Sequence, residues 1–223
     1  MPSACSSSFR TIQWATTQRG LGHAEAALAA VEKAVRVEGT TKRVNLLAHS
    51  LAAAGRGDEA VRVLEEWLAE HADDGASWTT LGMLLHQKGR ETEAMRAYES
   101  ALDSAPDNPV VLNNLAWLYH QHGDARALAT SRKAYDMAPE RPEIVDTYGW
   151  ILFREGRAAE GLSVMQQALV AAPRNPEIGL HVAEALHALG RDDEARPLLQ
   201  RIRSDHPRSA WETQAAELLT RLR

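Results

Sequence analysis

The residues able to do chemistry are few and widely spaced. His181, Glu184 and His187 recur at intervals of three, and His120 and His122 lie two apart. A zinc-binding helix needs two histidines four apart, so that both nitrogens meet on one face, and thiolates often complete the site. Neither arrangement occurs, and the single cysteine, Cys5, stands alone. Asp146 and Glu184 are isolated carboxylates, not an acid–base pair. No GxSxG elbow, no phosphate-binding glycine loop and no Cys–His nucleophile pair is present. The sequence therefore predicts no catalysis, no metal and no cofactor.

What remains is recognition chemistry. Leu112–Gly123 reads LNNLAWLYHQHG and Val145–Gly156 reads VDTYGWILFREG. The two stretches align, and each carries a tryptophan at the same place, Trp117 and Trp150. Asn113 and Asp146 stand one helical turn before them, and His120 and Phe153 stand three residues after. Large apolar side chains ringed by polar groups have the composition of a binding site.

These residues are positioned by a repeat. Glycines fall at 22, 55, 89, 123, 156 and 190, a spacing of 33 or 34 residues. Taking this glycine as position 15 gives repeats 8–40, 41–74, 75–108, 109–141, 142–175 and 176–209. Residues 1–7 read as a Ser-rich disordered tail. Position 8 is always small (Ala15, Ala48, Gly82, Ala116, Gly149, Ala183), and so is position 20 (Ala27, Ala60, Ala94, Ala127, Gly161, Ala195). Two helices approach closely only where side chains are short, so these are crossing points of a helix pair. Positions 4, 7, 8 and 11 form one apolar stripe at helical spacing. Glycine ends the first helix, and proline at 106, 139, 173 and 207 ends the second. Residues 210–223 read as a capping helix, with Ser209 as its N-cap. A balance of 25 Lys+Arg against 30 Asp+Glu gives no basic field for nucleic acid, and no run is apolar enough to cross a bilayer.

Trp78-x2-Leu81-Gly82-x2-Leu85, followed by Ala94-x3-Tyr98, Ala101 and Pro106, resembles the tetratricopeptide repeat (TPR) pattern, six times in register. The resemblance implies an all-α, right-handed superhelix of six helix–turn–helix repeats with a C-terminal cap. It also implies a concave groove lined by the first helix (A) of each pair. Residues 109–223, with NNLAWLY and DTYGWIL, are similar to the C-terminal repeats of TPR lipoproteins of PEP-CTERM/exosortase systems. That similarity implies a bacterial cell-envelope role in exopolysaccharide or surface-protein export. The compartment would then be the periplasm or envelope if the chain is an excised C-terminal segment, and otherwise the cytoplasm. Ser3-Ala4-Cys5 looks like the end of a lipoprotein cleavage site, but no n- or h-region precedes it.

At about 100° per residue, position 9 points roughly 150° away from the apolar stripe, with positions 2, 5 and 12 beside it. The groove set is then Trp117, Trp150, Asn113, Asp146, His120, Phe153, Met83, His86 and Glu184. It predicts a non-catalytic scaffold holding a protein or peptide segment. Two readings stand beside it: a glycan-binding module using both indoles as stacking platforms, and a structural spacer in which the tryptophans pack shut. A clamp for a terminal carboxylate is disfavoured by Asp146. Arg10, Arg19 and Lys42 against Glu143, Asp146, Glu177 and Glu184 give the groove a charge gradient that could orient a partner. The edge at repeat one could mediate self-association. Trp14, Trp67, Trp78 and Trp211 are read as core or cap. Trp67 fills position 27, held elsewhere by Ala34, Ala101, Ala134 and Ala168, and should push two repeats apart.

Overall fold

The structure, a computed structural model, describes residues 24–222. The first helix of repeat one, the N-terminal tail, Cys5, Arg10, Trp14 and Arg19 lie outside the described residues. Twelve helices and no strand occur among the described residues: α1 (Ala24–Val37), α2 (Thr41–Ala53), α3 (Gly57–Glu70), α4 (Gly75–Gln87), α5 (Glu91–Ser104), α6 (Pro109–Gln121), α7 (Ala127–Met137), α8 (Pro142–Arg154), α9 (Ala158–Ala171), α10 (Pro176–Ala188), α11 (Asp192–Asp205) and α12 (Ala210–Arg221). They are the second helix of repeat one, five complete pairs and the cap. The chain divides into two compact units, residues 1–106 and 107–223.

The local signals explain the ends. Asp74, Asn108, Asn175 and Ser209 each accept a backbone N–H from the first turn of the following helix. Pro109, Pro142 and Pro176 open α6, α8 and α10, where no N–H is needed. At each A-to-B turn the glycine takes positive φ, at Gly55, Gly89, Gly123, Gly156 and Gly190. The next residue then donates its N–H back to the position 11 carbonyl, as Arg56 to Leu51 and Arg157 to Leu152. This closes each A helix with a left-handed cap. Arg56, Arg90, Arg157 and Arg191 each pair with a glutamate three residues on, across the first turn of the second helix.

The small residues are crossing points. In α8 and α9 they are both glycine, and the backbones meet: a Cβ on Gly161 would stand 2.5 Å from the Gly149 carbonyl oxygen. In α4 a Cβ on Gly82 would stand 2.6 Å from the Tyr98 ring. In the second unit, Tyr148, Leu152, Met165, Val182, Leu186, Leu199 and Leu218 form one apolar core, and Trp211 of α12 packs on it as a cap. Trp78 is half-buried and donates its indole N–H to the Ala72 carbonyl, 2.8 Å away.

Candidate functional site

α8 is the helix on which the binding-site reading turns. Every residue from Ile144 to Leu152 is buried, on all faces. A helix of a simple two-layer array has a polar outward face; this one does not. The cause lies on α10. His181 reaches across from the next A helix, and its Nδ1 meets Asp146 Oδ2 at 2.7 Å. The imidazole also stacks on Trp150, with centroids 4.1 Å apart and planes inclined by 22°. Phe153 closes a second edge of the indole at 5.4 Å, and the Arg154 guanidinium lies 5.5 Å from its centre.

Trp150 is accordingly only 7% exposed and Asp146 only 5%. The wheel arithmetic places both on an open face, and the structure corrects this: the face is closed by His181. An isolated helix projects position 9 to solvent. Two neighbouring A helices, with a ring between them, do not. Trp150 is therefore a packing element and not a free platform.

Trp117 is different. It is half-buried against the second unit's core, and its ring neighbour is His120 at 6.2 Å. The two tryptophans are thus taken up by different rings and do not stack on each other. Asn113, Asn114, His120, Phe153 and Glu184 are also partly accessible. Burial pulls the His120 imidazole below its ordinary value, the Arg154 guanidinium adds to this, and Glu155 opposes it. Met83 and His86 belong to the first unit, on α4; Met83 is exposed and His86 half-buried.

One regularity ties the site to the repeat. Three buried side-chain oxygens among the described residues have no hydrogen bond: Asn45 Oδ1, Asn113 Oδ1 and Asp146 Oδ1. All three occupy position 5 of their repeats. At the same position Thr79 satisfies itself on the Gly75 carbonyl, and Leu180 is apolar. A buried unpaired acceptor costs about 1–3 kcal/mol, and here it recurs at one register. Asp146 is acceptor-only when ionised, and its other oxygen is already taken. Asn45 belongs to the position 5 series that the sequence places on the groove face, and His181, weighed there only as a metal ligand, joins the site through Asp146. His181 sits at position 6, beside the outward face, and only its pairing across helices reveals it.

No group of three or more His, Cys, Asp or Glu among the described residues is placed to hold a metal ion. No described helix is long and apolar enough to cross a membrane.

Four tetratricopeptide repeat models match the sequence, over residues 6–74, 45–109, 97–127 and 152–222. No curated protein matches it. Among solved structures, pilF of Pseudomonas aeruginosa is 16% identical over 97% of this chain and 98% of its own, with a TM-score of 0.80. PilW, described as a widely conserved type IV pilus biogenesis factor, is 16% identical over 94% of this chain and 98% of its own, with a TM-score of 0.78. YrrB, described as a TPR protein with an unusual peptide-binding site, is 17% identical over 84% of this chain and 98% of its own, with a TM-score of 0.65. At these identities the likeness establishes the fold.

Proposed function

We infer the function from one premise: the chain belongs to the tetratricopeptide repeat family. Proteins of this fold mediate protein–protein interactions and are typically non-catalytic scaffolds. The finer reading is that the A-helix face of the second unit holds a segment of a partner protein. The observation that carries it is half-buried Trp117, an indole left partly accessible on the A-helix face with His120 as its ring neighbour at 6.2 Å. A polypeptide laid along α6 can cover this ring and pair with the accessible part of Asn113, whereas Asp146, closed off by His181, is out of its reach. Partly accessible Glu184 lies two A helices on, on α10. Burial of Trp150 weakens the rival glycan reading, because a sugar needs an open ring face.

The envelope-assembly role stays with this proposal. It rests on the resemblance of residues 109–223 to exosortase-system repeats. A pilus biogenesis factor of the same fold is compatible with it.

The test is site-specific photocrosslinking in the source cell. A benzophenone amino acid at position 117 should capture a discrete partner. The same group at Val170, which is 83% exposed on α9, should not. Equal capture at both positions, or no discrete partner captured at 117, overturns the reading.

A further inference from the structure

Trp67 has no part in the reading above, yet it reshapes the first unit. Position 27 is alanine in four other repeats, and here an indole stands in its place. The side chain is locked. Its N–H donates to Asp74 Oδ2 at 2.7 Å, and His71 stacks on it with centroids 3.5 Å apart and planes 7° from parallel. Its ring edge presses on the turn before α2, where a Cβ on Gly39 would stand 3.0 Å from Cζ3. A fixed ring against a neighbouring turn acts as a wedge.

A cleft of about 550 Å³ opens beside it among α1, α2 and α3. The equivalent cleft one repeat on, where Ala101 holds position 27, measures about 280 Å³. The larger one lies in the size range of small-molecule sites. Its floor is apolar: Val44, Leu47 and Leu51 of α2, with Val63 and Trp67 of α3. Four glutamates line the rest. Glu32 and Glu59 are already engaged by Arg56. Glu66 and Glu70 are a turn apart at the C-terminal end of α3, whose last turn has no basic residue. Helix-end carbonyls and two carboxylates give that end a negative field. No cation in this lining answers it.

We propose that this cleft binds a small amphiphilic organic cation, an alkyl chain ending in an ammonium group. The chain lies on Val35, Val63 and the Trp67 ring, the partly accessible apolar part of the lining, and the ammonium meets Glu66 and Glu70. This site is independent of the partner-binding face on the second unit.

The experiment is an NMR titration of the full chain with octylammonium chloride, with sodium octanoate and octanol as matched probes. Octylammonium should shift the backbone amides of Val35, Val63 and Trp67 saturably, and octanoate should not. Glu66→Gln with Glu70→Gln should weaken octylammonium about tenfold, as expected for losing charge-assisted contacts. Val35→Trp fills the cleft from the partly accessible α1 side and should abolish binding while the helical spectrum is retained. Trp67→Ala should weaken it by removing the wedge. Octanoate or octanol binding as well as octylammonium, shifts lying elsewhere, or unchanged binding by Val35→Trp overturns the proposal.

Discussion

Gly161→Ala probes the crossing of α8 and α9, which sets where Asp146 and Trp150 sit. The added Cβ would stand 2.5 Å from the Gly149 carbonyl oxygen, 2.7 Å from the Phe153 nitrogen and 3.0 Å from Phe153 Cβ. The first two are main-chain atoms of α8, so no rotamer change relieves them. The helices must move apart. Overpacking of a filled core costs about 1–3 kcal/mol, and contacts with backbone on the receiving side place this case at the upper end. Alanine returns about 1 kcal/mol of helix propensity relative to glycine. The net is a loss of about 2 kcal/mol, or about 4–8 °C in the melting temperature of a chain this long. Thermal unfolding by far-UV circular dichroism reads the loss. Hydrogen exchange should localise it to α8 and α9. Because α8 carries Trp150, its displacement should also change the ring-current shift of His181. Val170→Ala, on the same helix but exposed, should do none of this. A Gly161→Ala protein at least as stable as the wild type would show that propensity alone acts there, and the close-approach argument would fail.

Trp150→Ala should cost about 3–5 kcal/mol in urea unfolding and half-buried Trp117→Ala about half that; the reverse order would contradict their assigned burial. Asp74→Ala should cost about 2 kcal/mol at neutral pH, because it removes the α4 cap and the Trp67 acceptor together. Burial alone would raise the Asp74 carboxyl, but hydrogen bonds from Trp67, Ser77 and Thr41 outweigh it and hold the group below its ordinary value. A depressed carboxyl contributes stability above its unfolded value and loses it as pH falls through the folded one. The wild type should therefore lose part of its acid-side stability that Asp74→Ala never had, as urea midpoints across pH would show. His120 should titrate below the ordinary histidine range by NMR, and Arg154→Ala should move it up. Its depressed value means that it stabilises at high pH and that this contribution is lost as pH falls.

The repeat was legible because it is written by backbone demands that recur. Gly123 and Gly156 have to take a left-handed turn, and Ala127 or Gly161 has to let a neighbour approach. Such constraints act within a repeat, and periodicity exposes them. The wedge at Trp67 was also readable, since one bulky residue at a position of alanines has few places to go. The state of Trp150 was not. A wheel treats one helix alone, and the side chain that buries this indole comes from His181, one repeat later. The unpaired oxygens were out of reach for the same reason. Asn113 lacks a partner because of what surrounds it in space, and no spacing rule reports an absence.

The unpaired acceptors at position 5 mark where the scaffold could be more stable than it is. Leu180 demonstrates that the architecture accepts a hydrocarbon there, fully packed. Asn113→Leu should accordingly fold into a scaffold no weaker than the natural one, since the unmet cost of about 1–3 kcal/mol disappears with the amide oxygen, whereas Asp146→Leu would also leave His181 Nδ1 without its partner. The present chain is thus poised below the ceiling its own framework allows. Selection for mere persistence would erase these oxygens first, leaving the tryptophans intact. A lineage kept for stability alone should drift toward leucine at 45 and 113, while 146 stays fixed by its pairing with His181.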